Sequence, residues 1–284
     1  MAKLIDGKKI SAAVKDSVRA EINSLKEKGI EACLAVIIVG DDPASQIYVA
    51  NKERACEYTG IRSLKFALPA TTTMEELLAL IEKLNADKTV NGILCQLPLP
   101  KGLDEQAVID AISPLKDVDA FHPVNVGKIM TGNFDFLPCT PAGIMEMLDY
   151  EGIEIEGKTC VVIGRSNIVG KPMSMLLLHK NGTVTVCHSR TKNLKEVTKS
   201  ADILVSAVGK ANFVTADMVK KGAVVIDVGM NRDENGKLCG DVLFSEVEPI
   251  SSAITPVPGG VGPMTISVLM KNTLTATKKQ NNII

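Results

Sequence analysis

The sequence predicts an α/β protein of two domains, each built on a parallel sheet. Three observations point there. Short aliphatic runs alternate with helical periodicity along most of the chain. Tryptophan is absent and aromatic residues make up only 3%, so the core must be aliphatic, as in buried parallel strands. At 284 residues the chain corresponds to two domains of roughly 150 residues, each large enough to bury its own core.

The elements follow in order. Ile10, Val14, Val18, Ile22 and Leu25 recur at steps of four and three, forming one face of a helix that Gly29 ends. Ala32–Val39 is an apolar strand. Asp41-Asp42-Pro43 is a turn and helix-start signal for a helix over about 45–58 that stops at Gly60. Strand 63–68 follows, and Thr73 with Glu76 has capping-box spacing for a helix to about Leu84. Strand Gly92–Cys95 runs into Leu97-Pro98-Leu99-Pro100. Thr140-Pro141 reads as an N-cap with proline at the first helical position of a connecting helix to about Tyr150. A second alternation places strands at 159–163, 183–187, 203–206 and 223–228 with a helix between each pair. A last helix starts at Pro263, carries Ile266, Leu269, Met270 and Leu274, and is expected to pack back on the first domain.

Bulk properties exclude several classes. Net charge is −1, which argues against a nucleic-acid-binding surface. The seven cysteines form no C-x-x-C pair, and most lie in apolar runs, so buried free thiols in a reducing compartment are the simplest reading. His122, His179 and His188 lack ligand spacing, so no metal is expected. The N-terminus has no apolar signal core, and no run approaches the roughly 20 apolar residues of a membrane span, which predicts a cytoplasmic protein without membrane association.

The strand at Thr159–Ile163 ends in Gly164-Arg165-Ser166-Asn167-Ile168-Val169-Gly170 and then opens a helix. Such a turn aims backbone N–H groups at a phosphate, the mark of a Rossmann-type, doubly wound dinucleotide unit. The pattern is not G-x-G-x-x-G, because Ser166 and Val169 stand at the inner glycine positions. NAD-binding units place an acid at the end of the second strand. Here that strand is followed by His188-Ser189-Arg190-Thr191, with no acid. A hydroxyl and two potentially cationic groups, joined by Arg165, suit a 2′-phosphate and favour NADP. The alternative is that Arg165 and Arg190 are solvated surface residues.

In the first half, Tyr48 and Lys52 are four apart on one helix face. A lysine so placed can carry a proton in catalysis, or simply be a solvated surface lysine. Gln96 ends a buried strand at its carboxyl edge, where ligands gather, and its amide could orient an amine such as Lys52. Asp117-Val118-Asp119 lies in a loop, where a carboxylate could grip a planar N–H/NH₂ edge or merely form a turn. Pro258-Gly259-Gly260-Val261-Gly262-Pro263 permits close backbone approach to a ligand, or is a tight interdomain turn.

Taken together these segments resemble one family, the bifunctional methylenetetrahydrofolate dehydrogenase/methenyltetrahydrofolate cyclohydrolases. The likeness rests on Ser45–Lys52, Gly92–Pro100, Lys116–Asp119, Pro138–Pro141, Gly164–Ser166, Cys187–Thr191 and Thr255–Pro263, in the family's order. It implies two α/β domains around a cleft: residues 1–139 with 264–284 as a folate-binding catalytic domain, and 140–263 as an NADP-binding Rossmann-type domain. It implies NADP-dependent oxidation of 5,10-methylenetetrahydrofolate, then hydrolysis to 10-formyltetrahydrofolate, in one-carbon metabolism and purine biosynthesis. Lys52 is similar to the key catalytic residue, above all for the hydrolytic step, with Gln96 orienting it and Asp119 gripping the pterin. Tyr48 resembles the tyrosine that stacks on the aminobenzoyl ring. Leu97, Pro98, Pro258, Gly259 and Gly262 fall beside the substrate. Arg165, Ser189 and Arg190 match the 2′-phosphate end of the NADP site, with Thr140, Gly164 and Ser166 in the cofactor groove. The family usually has glycine where this chain has Ala120, which bears on the local backbone angle. A homodimer is implied, and the synthetase domain of some relatives is not expected. Two other readings of the residues stay open: an NADP oxidoreductase with a dehydrogenase site alone, of shikimate type, and a nucleotide-binding sensor without turnover.

Overall fold

A computed structural model describes residues 2–284. It divides into two compact units. A six-stranded unit takes in the chain up to Ser11 together with Pro138–Thr265, and a three-stranded unit comprises Ala12–Leu137 and Ile266–Ile284.

The chain opens with β1 (Lys3–Leu4) and helix α1 (Gly7–Glu27), whose Ile10, Val18, Ile22 and Leu25 are buried. Strand β2 (Cys33–Val39) is buried at every position, as the centre of a parallel sheet requires. Helix α2 (Pro43–Thr59) starts where the sequence signals it: the Asp42 carboxylate accepts from the Ser45 N–H at 2.8 Å and Pro43 occupies the first turn. It ends at Gly60, whose φ of 79° lets its N–H return to the last carbonyls. Strand β3 (Arg62–Leu68) leads to α3 (Met74–Ala86), which opens with the expected Thr73/Glu76 capping box. Strand β4 (Gly92–Cys95) and the short helices α4 (Glu105–Ala111) and α5 (Pro123–Thr131) complete this stretch. The three strands pair in parallel in the order β3-β2-β4, with Leu34 opposite both Ser63 and Gly92. Leu77, Ile81 and Leu84 of α3 cluster with Ala35, Ile37 and Ile93 of the sheet. Burying each such side chain contributes about 1.5–3 kcal/mol.

Helix α6 (Cys139–Tyr150) begins two residues before the expected start. Thr140 is not its N-cap: its hydroxyl instead pairs with that of Thr265 at 3.1 Å, and Pro138 holds the cap position without a side-chain bond. There follow β5 (Thr159–Ile163), α7 (Gly170–His179), β6 (Thr183–Cys187), α8 (Leu194–Lys199), β7 (Ile203–Ser206) and β8 (Val224–Asp227). The helix expected between β7 and β8 is instead a loop with a single tight turn at Ala216–Met218. A small antiparallel hairpin, β9 (Asn231–Arg232) and β10 (Leu238–Cys239), precedes α9 (Phe244–Val247), β11 (Ala253–Ile254) and α10 (Val261–Gln280). From Ile266 onward the last helix packs within the three-stranded unit: Met270 Sδ accepts from Cys56 Sγ, and the Asn272 amide donates to the carbonyls of Val118 and Leu137.

The six strands run in parallel in the order β1-β11-β8-β7-β5-β6. The sequence places the first residues with the folate-binding domain. Their strand β1 instead extends this sheet, with Lys3 opposite Ala253 and Leu4 opposite Ile254, because β11 would otherwise be left as a bare edge. No helix among the described residues is long and apolar enough to cross a membrane.

Candidate functional site

In the three-stranded unit the candidate residues stand on α2, at the end of β4 and on the loop before α5. The buried stripe of α2 runs through Ser45, Val49, Lys52, Cys56 and Thr59. Lys52 therefore falls on the inward face of its helix and is only 9% exposed. Its Nζ donates to Gln96 Oε1 at 2.9 Å, and no carboxylate pairs with it among the described residues. Gln96 is fixed in turn: its backbone N–H extends the sheet ladder to the Ile37 carbonyl at 2.8 Å, and its Nε2 donates to the Leu97 carbonyl at 2.6 Å. Its amide oxygen is thus the atom turned to the lysine. Tyr48, one turn earlier on α2, is 37% exposed, and partial burial pushes its phenol up.

The loop Lys116–Ala120 is stitched to β4, since the Ile93 N–H donates to the Lys116 carbonyl at 2.8 Å. Its two aspartates do different work. Asp117 is buried and accepts from the N–H groups of Phe121 and His122 and from Asn125 Nδ2, fixing the start of α5; burial raises its carboxyl. Asp119 is half-buried and lines a narrow recess with Cys95, Leu97 and Phe121. The Cys95 thiol is pushed up to about 12 by burial first and by the Asp119 and Glu105 carboxylates next, with Lys52 pulling the other way. Gln96, which holds Lys52, and Cys95, which lines the recess with Asp119, are consecutive residues at the carboxyl end of β4. Lys116, which sequence reasoning did not single out, is a buried anchor: its Nζ caps the end of α3 through the carbonyls of Leu84 and Asp87 at 2.8 and 2.6 Å. Ala120 has φ 59° and is fully buried, so alanine occupies a left-handed conformation that favours glycine.

In the six-stranded unit β5 pairs with β6 on one side and β7 on the other, which makes its carboxyl end the topological switch point of the sheet. The loop Gly164–Gly170 sits there. A Cβ on Gly164 would lie 2.3 Å from the Ala207 carbonyl oxygen, and one on Gly170 would lie 2.3 Å from that of Gly164. The close strand–helix approach thus falls on Gly170, one residue later than the G-x-G-x-x-G spacing allows, which explains why Val169 is tolerated before it. Ser166 Oγ accepts from the N–H groups of Val169 and Gly170 at 3.2 and 3.3 Å. Both its lone pairs are then engaged, leaving its O–H to donate outward. Among the described residues the amides of Arg165, Ser166, Asn167 and Ile168 donate to no protein group. The Gly164 N–H donates to the Cys187 carbonyl at 2.9 Å, so this loop adjoins the turn after β6. In that turn the His188 ring accepts the Arg190 N–H, Thr191 Oγ1 accepts the His188 N–H, and Ser189 and Arg190 are exposed. Thr140 makes no hydrogen bond with these loops among the described residues. Pro258 and Gly259 lie in the same unit between β11 and α10, and Gly262 lies in the first turn of α10.

Fold and geometry define a class: an α/β protein with a Rossmann-type dinucleotide-binding unit and a second parallel-sheet unit that presents a buried lysine. Comparison with known proteins narrows it. Residues 5–119 match the tetrahydrofolate dehydrogenase/cyclohydrolase catalytic domain, and residues 138–281 match the NAD(P)-binding domain of the same family. The bifunctional protein FolD of Agathobacter rectalis is 62% identical over 279 residues, covering 98% of this chain and 100% of that protein. The crystal structure of the bifunctional FolD methylenetetrahydrofolate dehydrogenase/cyclohydrolase from Campylobacter jejuni superposes with a TM-score of 0.96 at 52% identity, covering 98% and 99% of the two chains. The Trypanosoma brucei enzyme, solved with NADP cofactor and inhibitor, gives 0.93 at 40% identity over 98% of each. The chain belongs to the tetrahydrofolate dehydrogenase/cyclohydrolase family.

Proposed function

We infer that this protein oxidises 5,10-methylenetetrahydrofolate to 5,10-methenyltetrahydrofolate with NADP and hydrolyses the product to 10-formyltetrahydrofolate. The observation that carries this reading is the buried Lys52–Gln96 pair at the carboxyl end of β4, beside the Asp119 loop. Family membership supplies the two reactions.

The three-stranded unit holds the folate. Asp119 grips the N–H/NH₂ edge of the pterin and Tyr48 stacks on the aminobenzoyl ring, while Leu97 and Pro98 border the reacting carbon. In the hydrolytic step water adds to the methenyl carbon, the N5–C bond opens, and one proton is released. Lys52 moves that proton, and Gln96 Oε1 keeps its amine in one orientation. Pro258, Gly259 and Gly262 complete the substrate contacts from the glycine-rich loop.

The six-stranded unit fits a dinucleotide phosphate: four successive amides without a protein partner among the described residues and one outward hydroxyl meet at the switch point. Gly164 and Ser166 contact the pyrophosphate, and Arg165, Ser189 and Arg190 hold the 2′-phosphate that distinguishes NADP. Thr140 borders the nicotinamide end. Bound NADP supplies a hydride acceptor, and the protein's part is alignment. We assign residues 140–263 to the NADP domain and the folate domain to the remainder beyond Ser11. We further place the protein in the cytoplasm, as a homodimer, furnishing 10-formyltetrahydrofolate for purine biosynthesis.

A coupled assay with methylenetetrahydrofolate and NADP, following methenyl and formyl products separately, tests the reading. Both must form. Dehydrogenation without hydrolysis of added methenyltetrahydrofolate would leave only a dehydrogenase, and cofactor binding without turnover would leave a sensor.

A further inference from the structure

The loop that leaves β7 commits its backbone to one buried carboxylate. The N–H groups of Val208, Gly209 and Lys210 all donate to Asp241, at 2.7, 3.3 and 2.9 Å. Ser206 Oγ adds a fourth bond at 3.2 Å and Asn231 Nδ2 a fifth at 2.9 Å. Asp241 is fully buried, and no basic side chain pairs with it among the described residues. A buried carboxyl group is costly unless its oxygens are hydrogen-bonded, and these five donors meet that demand.

Asp241 is itself held. Its N–H donates to Asp227 Oδ1 at 2.9 Å, and Asp227 also accepts from Gly229 and Val242. A Cβ on Gly240 would lie 1.8 Å from Asp227 Oδ2, so the Asp227 carboxylate closes on a position that only glycine fits. The anchored loop borders the switch point. Its Ala207 carbonyl is the atom against which Gly164 seats. The shape of the phosphate loop is thus set partly by a residue more than 30 positions beyond β7 that faces away from solvent.

We propose that Asp241 is a positioning residue for the dinucleotide: by gathering the 208–210 amides it fixes the wall on which the Gly164 loop rests. This inference rests on the NADP reading above. It assigns Asp241 no contact with the cofactor and no part in hydrolysis.

Asp241→Asn in the full chain tests it. Asp241 Oδ2 takes Val208, Gly209 and Ser206, and Oδ1 takes Lys210 and Asn231, so the new NH₂ must face donors whichever way the amide turns. The KM for NADP should rise at least about tenfold, with cyclohydrolase kcat and KM within about twofold of wild type, the cost of leaving buried donors unsatisfied. Ser206→Ala removes one donor and should raise the NADP KM by about two- to threefold, the scale of one weak hydrogen bond. An unchanged NADP KM in folded Asp241→Asn overturns the proposal. So does an equal loss of both activities, which marks a purely structural role. If Asp241→Asn does not fold, an unchanged NADP KM in both Ser206→Ala and Asn231→Ala overturns it. Wild-type protein that shows no NADP-dependent oxidation refutes the underlying cofactor reading instead.

Discussion

The two units organise their candidate sites in opposite ways. In the three-stranded unit the work falls to buried side chains: Lys52 is held by the Gln96 amide, and the Asp119 loop is pinned by Lys116 and Asp117. In the six-stranded unit the side chains assigned to NADP, those of Arg165, Ser166, Ser189 and Arg190, are all exposed. What is fixed there is backbone, by glycine contacts at Gly164 and Gly170 and by buried carboxylates behind the loops. One unit preorganises functional groups, and the other preorganises a surface on which functional groups ride. Substitutions should therefore fail differently in the two.

The largest effect belongs to Lys52→Met, which removes the proposed proton carrier but retains an apolar stem of similar length. Cyclohydrolase turnover should drop by about 10²–10⁴-fold, the usual worth of general acid–base catalysis, with NADP affinity unchanged. Retained hydrolysis would rule out this role for the lysine. Next comes the carboxylate behind the six-stranded unit's loops. Burial, reinforced by the neighbouring Asp241, raises Asp227 from its ordinary 3.8 to about 6, against the pull of three backbone N–H donors. The native protein then keeps this proton longer than the unfolded chain. Asp227 contributes its full stabilisation below 3.8 and loses it as pH rises to about 6. An NMR titration of the carboxyl carbon should give a midpoint near 6, and one near 4 would contradict the assignment.

Arg190→Ala should lower kcat/KM for NADP by about 10–100-fold, as expected for one charge-assisted hydrogen bond, and leave that for NAD nearly unchanged. Equal losses with both nicotinamides would separate Arg190 from the 2′-phosphate. Gly170→Ala probes backbone alone. Its methyl would strike the Gly164 carbonyl, costing about 1–3 kcal/mol of stability and weakening NADP binding more than hydrolysis. An unchanged Tm and NADP affinity would break the contrast between the units. The smallest effect is a gain: Ala120→Gly relieves a left-handed alanine and should stabilise by up to about 1 kcal/mol in denaturant titration. A loss of stability would mean that the alanine methyl contributes more by packing than its backbone angle costs.

Legibility follows the same division. Elements announced by periodicity and punctuation were readable, such as α2 between Asp42-Pro43 and Gly60, or α3 behind its capping box. The Lys52–Gln96 pairing was foreseeable because helix spacing and a strand end each aim a group at one point. Strands β1 and β11 were not, since two residues carry no period and they find each other across most of the chain. Thr140-Pro141 gave a misleading start because a threonine hydroxyl serves a distant threonine as readily as its own helix. The anchoring roles of Lys116, Asp117 and Asp241 were hidden for a further reason. Their partners are chiefly backbone carbonyls and amides, which every residue possesses and no sequence pattern marks.

The short strand β1 has a consequence for how the chain is made. Lys3 pairs with Ala253, which stands 250 positions further along the chain (253 − 3). At a synthesis rate of roughly 5–20 residues per second, β1 waits on the order of 12–50 seconds before its partner strand is made. Until then it has no sheet to join, and β11, when it arrives, offers a bare apolar edge. A change to β1 is therefore an intervention on a long-range seam that closes late, and its cost should be paid in yield during synthesis.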